Sequence, residues 1–212
     1  MIISKTPYRI SFFGGGTDYP EWYLKEGGAA ISTTIDKYCF ISCRSFSDCF
    51  NVRYRIVWSH VEAVSTIAEI LHPAVREGLR FLGFDESTAL EIHHQGDLPA
   101  RAGIGSSSAF SVGLINALSA FRGEKMDPHE LALKAIRLEQ EVLKENVGCQ
   151  DQIASAYGGL NVIRFSPKGD FTVEPLDLPS SRIAELESRF LLVYTGSTRL
   201  ASEIASKVIA NL

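Results

Sequence analysis

Side chains able to do chemistry gather at four places in this 212-residue chain. The first is Pro99-Ala-Arg-Ala-Gly-Ile-Gly-Ser-Ser-Ser-Ala-Phe110, where small residues separate a strand-like stretch from a long apolar helical one. Gly103 and Gly105 allow a tight turn and close approach to a ligand. Ser106, Ser107 and Ser108 then open a helix, and the first-turn N–H groups of a helix lack an acceptor inside it. Backbone donors, hydroxyls and the positive end of a helix dipole together make an anion cradle. No Gly-Lys-Ser/Thr follows the glycines, so this is not a Walker A loop. A plain small-residue turn before a buried helix has the same composition, and the loop alone does not separate the two.

The second place is Glu139. On a helix starting at Pro128, residues Ala132, Ala135, Ile136, Val142 and Leu143 fall on one side. Glu130, Lys134, Arg137, Glu141 and Lys144 fall on the other, and Glu139 lies in the middle of the apolar side. An unpaired carboxylate there is costly, so it must meet an internal Arg or Lys, or a hard cation such as Mg²⁺. The third place is Asp151, which follows a helix-ending Gly148 and opens another small-residue run. Helix N-cap and acid/base carboxylate are both open to it. The fourth is Pro7-Tyr-Arg9-Ile-Ser-Phe-Phe-Gly-Gly-Gly-Thr-Asp18-Tyr19, in which a cation and a carboxylate flank a glycine turn. It suits a strand turn with a surface Arg. It equally suits a sugar site where Asp18 accepts hydroxyl hydrogen bonds and Arg9 offsets negative charge.

The elements that must position these residues are mixed. Strands are expected at Tyr8 to Phe13, Ala30 to Phe46 (one long strand or a hairpin) and Asn51 to Trp58. Further strands are expected at Ala89 to Gln95, Leu160 to Phe165, Phe171 to Glu174 and Phe190 to Tyr194. Helices are expected at Pro73 to Leu82, through the serines to Phe121, and over Leu200 to Leu212. The best-marked helix has Asp127 as N-cap, Pro128 first and Glu130 completing a capping box, and is expected to reach Glu145 or Asn146. Leu176 to Arg182 reads as a linker. Strands clustered at the start point to an α+β class.

The net charge of -4 argues against nucleic-acid or anionic-membrane partners. No apolar run approaches the ~20 residues that span a bilayer. Cys39, Cys43, Cys49 and Cys149 make neither a disulfide framework nor a zinc pattern, and the N-terminus lacks signal-peptide features. His93 and His94 are neighbours in a strand and face opposite ways. These features favour a reducing cytoplasm.

Three stretches, Pro7 to Tyr19, Pro99 to Phe110 and Glu139 to Gly159, together resemble the GHMP small-molecule kinases. Within them, Pro-Tyr-Arg-Ile-Ser-Phe-Phe-Gly-Gly-Gly-Thr-Asp-Tyr-Pro, Ser-Ser-Ser-Ala-Phe and Gln-Asp-Gln-Ile-Ala-Ser-Ala-Tyr-Gly-Gly-Leu-Asn look like the D-glycero-D-manno-heptose 7-phosphate kinase branch, with fucose kinases as neighbours. The resemblance implies a ribosomal protein S5 domain 2-like domain over 1–182 and the start of a ferredoxin-like C-terminal domain over 183–212, in a chain shorter than the family's members. It implies ATP and Mg²⁺, and transfer of the γ-phosphate to the anomeric hydroxyl of a sugar phosphate, for nucleotide-heptose biosynthesis. Pro99, Ala102, Gly103, Ile104, Gly105, Ser106, Ser107 and Ser108 would hold the triphosphate. Ser107 and Glu139 would hold Mg²⁺, and Asp151 would be the base, with Arg9 beside it keeping it charged. Gly15, Gly16, Thr17, Asp18 and Tyr19 would meet the substrate. Galactokinases carry Glu-His where this chain has Gly15-Gly16, which argues against galactose and leaves room for a bulkier sugar. Arg101, Arg199 and Lys5 are candidate cations for a substrate phosphate. The alternatives are a fucose-type kinase and a non-catalytic ATP-binding regulator. No nucleic-acid or membrane partner is expected, and a homodimer is left open.

Overall fold

The computed structural model describes residues 1–193, apart from 48 and 101, together with Gly196. The chain folds as α+β around one seven-stranded sheet. Its spine is strand β2 (Gly28–Ser45), whose Ile-, Thr- and aromatic-rich sequence forms a single long strand rather than a hairpin. Along one edge β2 pairs antiparallel with β1 (Ile2–Phe13). Along the other, its first half pairs with β6 (Leu160–Phe165) and its second half with β5 (Leu90–Gly96). Beyond β5 lie β3 (Tyr54–Val57), parallel to it, and β4 (Val61–Val64). Beyond β6 lies β7 (Phe171–Pro175).

Helix α3 (Ser106–Phe121) packs on β1 and β2 and is apolar nearly all round, as a helix enclosed by neighbours must be. Helix α2 (Pro73–Phe81) lies against it, and α4 (Pro128–Arg137) and α5 (Gln150–Tyr157) complete the layer. The main core joins Cys39, Ile41, Ile56, Leu90 and Ile92 of the sheet to Leu114, Ala117 and Leu118 of α3. A second core forms where Tyr23 of the short helix α1 (Pro20–Glu26) meets α4, α5 and β6. Among the described residues no helix is long and apolar enough to cross a membrane.

Several expectations need correction. The helix capped by Asp127 ends earlier than its sequence suggests: α4 passes at Arg137 into a π-helical turn, Leu138–Val142, closed by Leu143 N donating to Leu138 O at 2.9 Å. A π turn inserts one residue, so the apolar stripe loses its phase and the chain leaves the helix at Leu143. Asp127 does cap, accepting from Glu130 N at 2.8 Å, but the Glu130 carboxylate pairs with Lys134 at 3.0 Å. The expected linker gives way at Ser180 to helix α6 (Ser180–Arg189), which crosses the expected boundary at 182. Phe190–Val193 form no strand and are exposed, with Phe190 touching Phe12 at a ring separation of 5.6 Å. Tyr194 and the helix expected over Leu200 to Leu212 lie outside the described residues.

Candidate active site

Arg9 follows Tyr8 at a break in the β1–β2 register, where a bulge re-aims side chains. Its guanidinium forks onto Asp151: Nε donates to Oδ1 at 2.6 Å and Nη2 to Oδ2 at 2.5 Å. Nη1 donates to the carbonyl of Gly103 at 3.0 Å, and the Arg9 N–H to that of Ile104 at 3.2 Å. One residue thus ties the glycine-serine loop to the carboxylate. A two-point Arg–carboxylate fork fixes orientation as well as charge, and this one is largely buried, with the side chains 12% and 24% exposed.

The loop is anchored from beneath by Ile104, buried in the main core, with Ala102 packed at its edge. Gly105 sits at the start of α3 with φ of 70°, a left-handed conformation that glycine adopts without strain. A side chain there would also press on Arg9 and Asp151. Pro99, Gly103 and Ser107 are exposed and Ser106 half-buried, so the loop's outer surface is open. Arg101 lies outside the described residues.

Glu139, on the π turn, is 1% exposed. Among the described residues its hydrogen-bond partners are Ser and Gln side chains, not Arg or Lys. Its Oε2 accepts from the Ser108 hydroxyl at 2.9 Å and from the Gln152 amide. Burial pushes its carboxyl up to about 7, against the pull of hydrogen bonds from Ser111, Ser108 and Gln152. Its Oε1 has no hydrogen-bond partner among the described residues. A buried carboxylate oxygen left unpaired fits a ligand position for a hard cation, which takes carboxylate and phosphate oxygens together. Among the described residues no group of three or more His, Cys, Asp or Glu could hold a metal by itself, so phosphate oxygens would have to complete the shell. The structure brings Ser108, rather than Ser107, to Glu139. Gln152, which the sequence reading passed over, sits beside Asp151 and holds Glu139. Its only signal was a polar side chain in the otherwise small, apolar face of α5.

Asp151 is the second residue of α5 and caps nothing. The N-cap position belongs to Cys149, which makes no side-chain cap bond. Asp18 meets this helix end instead. Its Oδ1 accepts from Gly16 N at 3.0 Å and its Oδ2 from Gln150 N at 3.2 Å. Burial is the main force pushing the Asp18 carboxyl up, with Asp151 adding its charge. Thr17 staples the glycine turn to β2, accepting from Ala29 N at 3.2 Å and donating to Gly14 O at 2.8 Å. Gly15 is exposed beside the Gln150 amide, and Tyr19 caps α1. Lys5 lies over the ring of Tyr38, 3.8 Å from its centre. Arg199 lies outside the described residues.

The glycine loop at the start of α3, the Arg9–Asp151 fork and the buried Glu139 thus gather backbone donors, a cation and two carboxylates at one end of the α+β sheet. Residues 63–159 match the model of the GHMP kinases N terminal domain. It is 28% identical to a D-glycero-alpha-D-manno-heptose 7-phosphate kinase of Campylobacter jejuni, over 96% of this chain and 62% of the relative. It is 27% identical to a bifunctional fucokinase/GDP-fucose pyrophosphorylase of Arabidopsis thaliana, over 96% of this chain and 21% of the relative. Its fold is that of a D-glycero-D-manno-heptose 1-phosphate kinase from Bacteriodes thetaiotaomicron, with a TM-score of 0.80 at 24% identity, covering 89% of this chain and 64% of that one. The chain therefore spans under two thirds of the length of these relatives.

Proposed function

We propose that the protein carrying this chain is an ATP-dependent sugar kinase. Its acceptor is the anomeric hydroxyl of a sugar phosphate of the heptose 7-phosphate type. The observation that carries this reading is the Asp151–Arg9 fork held against the Gly103–Gly105 loop. A base and a phosphate cradle have to be neighbours in a kinase, because phosphoryl transfer depends on positioning and charge balance.

The backbone of residues 99–108 cradles the triphosphate, with Ser106, Ser107 and Ser108 at the helix start. Asp151 takes the proton of the attacking hydroxyl. The hydroxyl oxygen then bonds to the γ-phosphorus, and the bond from that phosphorus to the bridging oxygen of the departing ADP breaks. Arg9 orients Asp151 and balances charge between carboxylate and phosphates. Glu139 and a serine hydroxyl of the loop are the residues to hold Mg²⁺, which when bound neutralises phosphate charge. Gly15, Gly16, Thr17 and Tyr19 shape the sugar side, where the missing side chains at Gly15 and Gly16 give room for a large acceptor. The heptose reading takes its support from the name of the Campylobacter relative. The name of the Arabidopsis relative supports the second reading, a fucose-type kinase.

The test is Asp151→Asn. Turnover is expected to fall by about 10²- to 10⁴-fold, the usual worth of a positioned base, while nucleotide binding persists. Turnover equal to the unaltered protein would remove Asp151 as the base.

A further inference from the structure

Asp18 was expected to accept hydrogen bonds from substrate hydroxyls, yet the structure turns it inward. It is 3% exposed, and each carboxylate oxygen already accepts a backbone N–H, from Gly16 on one side and Gln150 on the other. Its own carbonyl accepts from Cys149 N at 3.0 Å. Gln150 is the first residue of α5, where an N–H has no acceptor inside the helix and a negative charge is favoured. Asp18 thus caps α5 from 132 positions away in the chain. The next residue of that helix is Asp151.

Gly148 shows how closely this junction is built. A Cβ there would overlap the Asp18 carboxylate, so any side chain at 148 has to displace it. We propose that Asp18 is a positioning residue: it locks the glycine turn onto the first turn of α5 and so sets Asp151 in register with Arg9 and the loop. This rests on the assignment of Asp151 as the base. It separates two residues that the sequence places in one role class, because Asp18 acts through Asp151 and not on the sugar.

The experiment is a double-mutant cycle in the full-length protein, with Asp18→Asn, Asp151→Asn and the pair, measuring kcat and the sugar KM per nucleotide-binding site. In Asp18→Asn an amide donor must face a backbone donor, so the cap is broken at nearly constant volume. The expected kcat falls about 10- to 100-fold, as for a misplaced reacting group, with sugar KM unchanged. The pair falls no further than Asp151→Asn alone, because residues acting as a unit are not additive. Gly148→Ala, which leaves the Asp18 carboxylate chemically intact but displaces it, gives the same kcat loss. It carries the cycle if Asp18→Asn does not fold. A raised sugar KM with kcat retained, or a pair whose losses multiply, would overturn the positioning role. Full turnover in Asp151→Asn is a separate outcome that removes the base assignment, and the positioning role with it.

Discussion

Arg9 and Asp151 stand 142 positions apart in the chain and meet in a two-point fork. Their residue types mark both as chemically capable, and their meeting depends on the bulge in β1 that re-aims Arg9. Glu139 is legible in a different way. A helical projection alone places it on an apolar face, and burial there is what the structure has. Which hydroxyl would meet it was not legible, because adjacent helix positions point about 100° apart. Ser108 faces inward while Ser107 faces out. The inward turn of Asp18 was hidden for another reason: its partners are backbone N–H groups, which carry no sequence identity. Glu139 also gives a pH signature. A carboxyl whose folded-state value is raised to about 7 from an ordinary 4.5 lends stability while protonated. That stability is fully present below about pH 4.5 and is lost as pH rises through about 7. Without divalent cations the melting temperature is therefore expected to drop between pH 5 and pH 8. Glu139→Gln should flatten that slope, and an equally steep slope in the variant would contradict the assignment.

At the scale of elements, long periodic segments were readable and short or irregular ones were not. Helix α3 and the Asp127 cap follow from pattern and capping chemistry, while the pattern left β2 open between one long strand and a hairpin. Helix α1 was missed because seven residues with one buried side chain show no period. The π turn was missed because its extra residue leaves composition untouched and only shifts phase. That turn carries Glu139 and begins at Leu138, fully buried against Val112, Ile115 and Ala135. Leu138→Ala is expected to cost about 2–5 kcal/mol in denaturant unfolding, the usual range for a buried Leu whose cavity cannot collapse. A loss within about 0.5 kcal/mol, typical of exposed positions, would show that the turn is not packed as described.

At the scale of the molecule, β2 is the common scaffold. Strand β1 along one edge brings Arg9, while β5 along the other leads into the loop and β6 follows α5, the helix of Asp151. Arg9, the glycine-serine loop and Asp151 converge because three hydrogen-bonded neighbours of one strand adjoin them, and Glu139 joins them from the π turn before α5. The α+β class was readable from the order of strands, but this convergence was not, since it depends on β2 being shared along its two halves. The central claim is phosphoryl transfer to a sugar phosphate, and one measurement meets it directly. The full-length protein is incubated with ATP, Mg²⁺ and, in parallel, heptose 7-phosphate, free heptose, fucose and galactose, and the products are read by ³¹P NMR. The account predicts a new anomeric phosphate ester from heptose 7-phosphate, with ADP formed in equal amount. ATP left intact with every sugar, or ester formed from fucose and none from heptose 7-phosphate, would contradict it.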